Sequence, residues 1–196
     1  MPANPVVLVH GLHDTERVFR RMSAWLRQRG FDVYAINLSP NNGDAPLEDL
    51  AAQLRTFIES RFGAHQPLDL VAFSMGGLVA RYYLQRLGGI ERVTRFIAIS
   101  SPHRGTRTAY LRNNPGARQM RPGSAFLADL NRDAEALSRI RVTTIWTPFD
   151  LMILPATSST HLPGRSVRVN VLLHPLMLFD RRVLNLVHQC LTEPAA

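Results

Sequence analysis

Ser74 follows an apolar run of strand length, 68–73, and the glycines Gly76 and Gly77 come next, after which 78–84 has a helical pattern. A serine on such a tight strand-to-helix turn is lifted clear of the backbone at the positive end of the helix dipole. The turn requires small residues two positions before and after the serine, and here they are Ala72 and Gly76. The stretch matches the nucleophile elbow G-x-S-x-G, with alanine in place of the first glycine. We therefore predict a nucleophilic serine; the alternative is a plain turn.

Asp150 and His174 are candidates for the two groups that activate a serine. A serine hydroxyl is a poor nucleophile until a base removes its proton, and an imidazole can take that proton and return it to the leaving group. A buried carboxylate fixes the imidazole tautomer and stabilises its positive form. Asp150 follows the fifth predicted strand and His174 follows the sixth, so both belong at the carboxyl edge of the sheet with Ser74. We predict Ser74 as nucleophile, His174 as base and acid, and Asp150 as orienting carboxylate.

Other histidines and one other acid compete for these roles. His10 and His103 also lie near ends of predicted strands, but His103 comes too early for the chain order serine, aspartate, histidine. His188 falls within the last predicted helix. Asp180 follows the histidine and has the position of a helix N-cap. The order favours His174.

Main-chain groups near Ser74 can bind a developing negative charge. One N–H belongs to Met75, directly after the serine, and the other to Leu12, in the loop after the first strand. Loops at the same edge are unusually apolar, which favours a groove for an acyl chain over simple packing across the sheet end. The side chains expected to bind substrate are Leu12, Leu151, Met152, Ile153, Met177 and Leu178.

Strand and helix patterns alternate along the chain. The predicted strands are 6–10, 31–37, 68–73, 93–100, 141–147 and 167–173. This alternation predicts an α/β fold, doubly wound, with a mainly parallel six-stranded sheet and helices on both faces, in a single domain over 1–196. A helix is expected at 15–29, capped by Asp14 and ended by Gly30. The interval 101–140 contains short helical patterns and is too short for a large cap domain.

Composition restricts the partners and the location. The formal charge is +8 and every basic residue is arginine, but the arginines are scattered and no nucleic-acid motif accompanies them. We expect no nucleic-acid partner, and at most weak, salt-sensitive contact with membrane surfaces.

The one cysteine, Cys190, allows no internal disulfide. No signal-peptide pattern precedes the first strand, which favours a cytoplasmic enzyme, although a secreted mature form would look similar.

Together, VLVHG, VAFSMGGLVARYYL, ISSPHRGT and the loops of Asp150 and His174 resemble the α/β-hydrolase superfamily. More closely, they resemble small bacterial triacylglycerol lipases and esterases without a lid, of the Bacillus lipase A type, which also carry alanine at the first elbow position. Phe73 departs from the histidine that many relatives have there. The resemblance implies cleavage of a small-molecule ester or lipid through an acyl-enzyme, without metal or cofactor. A thioesterase, amidase or acyltransferase would use the same triad, and a catalytically silent binding protein could share the fold.

Overall fold

A six-stranded sheet runs through the computed structural model, which describes residues 4–194. The strands are β1 (Val6–Val9), β2 (Val33–Ile36), β3 (Leu68–Phe73), β4 (Val93–Ile99), β5 (Arg141–Trp146) and β6 (Arg165–Arg168). Their order in the sheet is β2-β1-β3-β4-β5-β6, and every neighbouring pair is parallel. Since the carboxyl ends of parallel strands share one edge, the loops after β1, β3, β4 and β5 meet there.

The helices connect the strands and close the chain. The α-helices are α1 (Arg20–Arg27), α2 (Leu47–Phe62), α3 (Met75–Arg86), α4 (Pro115–Gln119), α5 (Ala125–Arg132) and α6 (Arg181–Thr192). Short 3-10 helices span Glu16–Phe19, Gly89–Glu91, Arg107–Leu111, Ala134–Arg139, Ala156–Thr160 and His174–Leu178. Within residues 4–194, no helix is long and apolar enough to span a membrane.

Both faces of the sheet are covered, and β1 shows why its sequence is apolar throughout. Val7 and Val9 belong to a core shared with α2 and α3, whereas Val6 and Leu8 belong to a second core shared with α1 and α6. Alternate side chains of a strand point to opposite faces, so a strand covered on both sides reads as a continuous apolar run. The predicted doubly wound α/β class is confirmed; the single domain over 1–196 stays a prediction.

Several predicted boundaries were wrong. The strand predicted at 167–173 ends at Arg168, because the chain turns away from the sheet edge and buries Val169 and Val171 in the core instead. The helix predicted at 15–29 is a 3-10 turn followed by α1, and its N-cap is Thr15 rather than Asp14. Asp14 lies at the cavity described below.

The interval between β4 and β5 packs against the body of the protein. Arg81, fully buried on α3, donates hydrogen bonds to the carbonyl oxygens of Leu130 (2.8 Å) and His103 (3.3 Å). Arg86, one turn further along α3, forms ion pairs with Asp129 and Asp133 at 2.8 and 2.7 Å. This interval forms no separate cap domain within the described residues, as predicted.

Candidate active site

Ser74 has the backbone of a nucleophile elbow. It joins β3 to α3 with φ 55° and ψ −126°, a conformation that costs a non-glycine residue about 1–3 kcal/mol. The turn brings Gly76 so close to β1 that a Cβ there would lie 2.4 Å from the carbonyl oxygens of Val9 and His10. Only glycine fits at that position, which is the steric reason for the small residue expected two positions after the serine.

His174 and Asp150 form a buried pair. The imidazole Nδ1 donates to Asp150 Oδ2 at 2.7 Å, and both side chains are almost fully buried. The second carboxylate oxygen accepts the N–H groups of Met152 and Ile153, each at 2.9 Å. Burial alone would raise the pKa of Asp150, but the hydrogen bond and charge of His174, with these two N–H groups, hold it below its usual value. A carboxylate on Nδ1 leaves Nε2 available as the base.

Thr147 and Phe73 position the histidine, which lies six residues beyond β6. The Thr147 hydroxyl donates to the Val171 carbonyl oxygen at 2.6 Å and so ties the loop after β5 to the segment that leads to His174. The ring of Phe73 packs on the imidazole, with centroids 4.6 Å apart and planes inclined by 34°. Phe73, which stands where many members of the resembling family have histidine, therefore packs against the imidazole of His174.

Ser74 and His174 line the same cavity. Among residues 4–194, no hydrogen bond joins their side chains. Catalytic hydrogen bonds are often long in the absence of substrate and shorten in the complex. The structure thus brings Ser74, Asp150 and His174, the three residues predicted to be catalytic, to one site.

The loop after β1 presents a free N–H group beside the serine. Gly11–Asp14 is a turn closed by a bond from Asp14 N–H to the Gly11 carbonyl oxygen at 3.3 Å. His13 has φ 61° in this turn and donates its N–H to Asn41. Within the described part of the chain, the N–H groups of Leu12 and Met75 have no hydrogen-bond acceptor, as an oxyanion site requires. Gly11 itself is close to the nucleophile, since a Cβ there would lie 2.9 Å from Ser74 Cβ.

The rival histidines occupy different environments. His10 Nδ1 contacts the Gly11 carbonyl oxygen and Nε2 accepts the Leu38 N–H, each at 2.9 Å, so both nitrogens are engaged by backbone. His103 is fully buried. Burial lowers its pKa well below the usual value, with the charges of Arg81 and His161 acting in the same direction. Neither is arranged as a base for Ser74, and Asp180 caps α6 as predicted.

An apolar cavity of about 440 Å³ opens at the serine. Four of the residues expected to bind substrate line it, namely Leu12, Leu151, Met152 and Ile153. Its wall is held by hydrogen bonds, because the Met152 carbonyl oxygen accepts the hydroxyl groups of Thr106 and Thr108 at 2.8 and 2.6 Å.

Met177 and Leu178 were wrongly expected in this cavity. Both are fully buried and pack in the core with Val183 and Val187 of α6. The 3-10 helix His174–Leu178 turns them inward, while Leu176 stays exposed. An apolar loop sequence does not indicate which of its residues face the cavity.

Other lining residues were missed: His13, Asp14, Phe73, Pro102, Thr106, Thr108, Met120, Leu173 and Pro175. For Asp14 a signal existed, because it follows Leu12 by two residues in a loop at the carboxyl edge of the sheet. Burial raises the pKa of Asp14, and the nearby His10, His174 and His13 act in the opposite direction. Within residues 4–194, no three His, Cys, Asp or Glu side chains are grouped to hold a metal ion.

Residues 5–121 match the family model of palmitoyl protein thioesterase. The chain belongs to this family. The matched range contains the loop of Leu12 and the elbow with Ser74. Asp150 and His174 lie beyond the end of this range. The α/β-hydrolase superfamily suggested by the sequence motifs is thereby confirmed, and the family is now specified.

Lipases and thioesterases are both found among the relatives of this family member. A triacylglycerol lipase from Pseudarthrobacter phenanthrenivorans is 27% identical over 161 residues, which cover 71% of this chain and 50% of the lipase. The human lysosomal thioesterase PPT2 is 31% identical over 105 residues, covering 52% of this chain and 34% of the thioesterase. The chain thus spans about half or less of the length of these curated relatives.

A solved lipase shares the fold. The mature form of Bacillus licheniformis lipase BlEst2 superposes with a TM-score of 0.80 over 98% of this chain and 93% of that chain, at 18% identity. At this identity the likeness concerns the fold, and it agrees with the six-stranded parallel sheet covered by helices on both faces described above.

Proposed function

We propose that the protein is a serine hydrolase that cleaves carboxylic esters through an acyl-enzyme. The observation that carries the proposal is the buried His174–Asp150 pair, 2.7 Å from nitrogen to oxygen, at the same cavity as the elbow serine. A plain turn or a silent scaffold would not need a strained serine, an oriented imidazole and two free N–H groups around one cavity.

The chemistry follows from these positions. His174 Nε2 takes the proton of Ser74 Oγ as that oxygen attacks the ester carbonyl carbon, and the N–H groups of Leu12 and Met75 bind the oxygen that becomes negative. The tetrahedral intermediate collapses when the imidazolium returns the proton to the leaving alcohol, and Ser74 is left acylated. Water then repeats the sequence and releases the acid. Asp150 stabilises the imidazolium in both halves of the reaction.

The acyl chain is proposed to lie against Leu151, Met152 and Ile153. Each methylene group buried there contributes about 0.8 kcal/mol, or roughly a fourfold gain in kcat/KM. A cavity of about 440 Å³ suits short-to-medium chains. The kcat/KM for the ester with the best-fitting acyl chain should therefore exceed the kcat/KM for the acetate ester by more than an order of magnitude.

Hydrolysis of thioesters is the second candidate, and the family match over residues 5–121 favours it. The same acyl-enzyme would form, and the leaving thiolate would need less help from the imidazolium because thiols are stronger acids than alcohols. The cavity does not distinguish the two leaving atoms, since its apolar wall contacts the acyl side.

One set of assays tests the proposal and separates the candidates. A fluorophosphonate probe should label the wild-type protein and not Ser74→Ala, because only an activated serine reacts. Oxygen esters, thioesters and amides of one acyl chain are then compared by kcat/KM, followed by p-nitrophenyl esters of graded length. Absence of labelling, together with no turnover of any substrate, would leave a ligand-binding scaffold as the function.

Weak contact with a lipid surface is a further part of the proposal. Leu151, Met152, Leu172 and Leu173 are exposed large apolar side chains on the loops that carry the acid and the histidine. Their exposure, together with the net positive charge, supports contact of this edge with an anionic bilayer. The proposal requires that the protein co-sediment with anionic vesicles at low salt and that this co-sedimentation be lost in 0.5 M salt.

A further inference from the structure

Asp14 is a carboxyl group at the cavity that the triad does not use. Its Oδ2 lies 3.2 Å from the point where a Gly11 side chain would begin, and Ser74 Cβ lies 2.9 Å from the same point. The carboxylate is therefore a near neighbour of the nucleophile. Within residues 4–194, no cationic side chain lies within ion-pair distance of it, so its charge is not neutralised by a direct partner.

The sheet order decides on which side of the serine this charge lies. In the sequence β2-β1-β3-β4-β5-β6, the loop after β1 flanks Ser74 on one side, and the connections after β4 and β5 flank it on the other. His13 and Asp14 belong to the first loop. Met120, Leu151 and Met152 belong to the other connections and line the same cavity. The cavity thus has a carboxylate at the end formed by the loop after β1, where Leu12 also lines it. The wall opposite is mainly apolar, with the hydroxyl groups of Thr106 and Thr108 in it.

An ester bound at Ser74 extends in both directions from its carbonyl carbon. The acyl chain suits the apolar wall, so the leaving group is directed towards the loop after β1. A carboxylate there attracts a cation and accepts hydrogen bonds from hydroxyl or ammonium groups, and it repels an anion.

We propose that Asp14 is a specificity-determining residue that selects the leaving group by charge, favouring cationic alcohols or thiols and disfavouring anionic ones. This inference rests on the proposed function, because it concerns the second half of the same ester substrate. The contrasting role is structural, with Asp14 merely closing the turn that begins at Gly11. A structural role would change the rates of all substrates alike, whereas a charge-selecting role changes their ratio.

The test uses three butyrate esters that differ in the charge of the leaving alcohol. The choline ester is cationic, the 3,3-dimethylbutyl ester is its neutral isostere, and the 2-sulfoethyl ester is anionic. In the wild-type protein, kcat/KM should rank in that order. Asp14→Asn should lower the ratio of kcat/KM for the choline ester to that for the neutral ester about tenfold. This is the size expected for two unit charges about 6 Å apart at an effective dielectric constant of about 40, between the values for a protein surface and for water. Most of the change should be in KM.

Asp32→Asn is the matched control. Asp32 is an exposed carboxylate directly before β2, at the opposite edge of the sheet, and its replacement removes the same charge. The ratios of kcat/KM among the three esters should be the same in Asp32→Asn as in the wild type. Asp14→Glu should keep a preference for the choline ester.

Two results would overturn the inference while leaving the proposed function intact. One is a wild-type protein that hydrolyses the neutral ester as fast as, or faster than, the choline ester; this measurement needs no variant to fold. The other is an Asp14→Asn protein with the wild-type ratio. Hydrolysis of none of the three esters and no labelling by the fluorophosphonate probe would instead reject the proposed function, and this inference with it.

Discussion

His103 should make the protein less stable in mild acid. Its side chain is fully buried, and among the described residues neither ring nitrogen has a hydrogen-bond partner. Burial, with the positive charges of Arg81 and His161, lowers the pKa of His103 well below the 6.5 of a free histidine side chain. The folded protein therefore keeps this imidazole neutral at a pH where the unfolded chain has bound a proton.

The sign and size of the effect follow from proton linkage. Below pH 6.5 the unfolded chain holds more protons than the folded chain at this position, so the free energy of unfolding falls as the pH falls. Relative to pH 7.5, the loss at pH 5.5 is about 1.4 kcal/mol for one group that stays neutral in the folded state. His103→Leu removes this contribution and should flatten the pH profile by that amount.

Urea unfolding at pH 7.5, 6.5 and 5.5 measures the effect. The difference in free energy between His103→Leu and the wild type is the informative quantity, because the titration of other groups such as His10 and Asp69 cancels in it. His65→Leu, which replaces an exposed histidine, is the control for the removal of one imidazole from the chain. If the free energy of unfolding of His103→Leu changed with pH in parallel with that of the wild type, the reasoning would be refuted. This variant should also retain turnover, since His174 is the proposed base.

Three further predictions concern the site. Ser74→Ala and His174→Ala should each lower kcat by about 10⁶-fold, and Asp150→Asn by about 10⁴-fold; near-normal turnover in His174→Ala would exclude it as the base. Gly76→Ala should lower the free energy of unfolding in urea by about 1–3 kcal/mol, because its methyl group would meet two backbone carbonyl oxygens at 2.4 Å; wild-type stability would contradict this contact. The rate with a short-chain ester should follow simple saturation through the solubility limit of the substrate, and a sharp rise once droplets form would reveal a mobile lid.

The parts of the fold that follow from local pattern could be predicted from the sequence. β1 and β3 are covered on both faces, so β1 is apolar at every position and β3 at every position but Asp69, which makes both easy to recognise. The elbow was predictable because one tight turn imposes small residues at fixed distances from Ser74. β6 was placed wrongly because it is an exposed edge strand, and the apolar residues Val169 and Val171 that follow it pack in the core. Val169 makes a last hydrogen bond to Trp146 of β5 at 2.8 Å, beyond the end of the strand.

The walls of the cavity depended on contacts that a sequence does not display. Met177 and Leu178 belong to a run that is apolar at every position, so no periodicity could indicate that the 3-10 helix turns them inward. Asp14 and Thr15 are both good N-caps, and their order along the chain did not reveal that Thr15 caps the helix while Asp14 lies at the cavity. In the first case a shift of about one residue decides between core and cavity, and in the second it decides between helix cap and cavity.

The connection between β4 and β5 is linked by hydrogen bonds to the loop that holds Asp150, the proposed orienting carboxylate. Thr106 in this connection donates to the Met152 carbonyl oxygen and accepts the Leu154 N–H, at 2.8 and 2.9 Å. Met152 in turn donates its N–H to Asp150. A lid motion that carried Thr106 away would therefore displace the loop that holds Asp150. Because Asp150 orients His174, the proposed base would be displaced as well. Among residues 4–194, no hydrogen bond joins the loop after β1 to Asp150, so we expect adjustment to a bulky leaving group to occur at that side of the cavity.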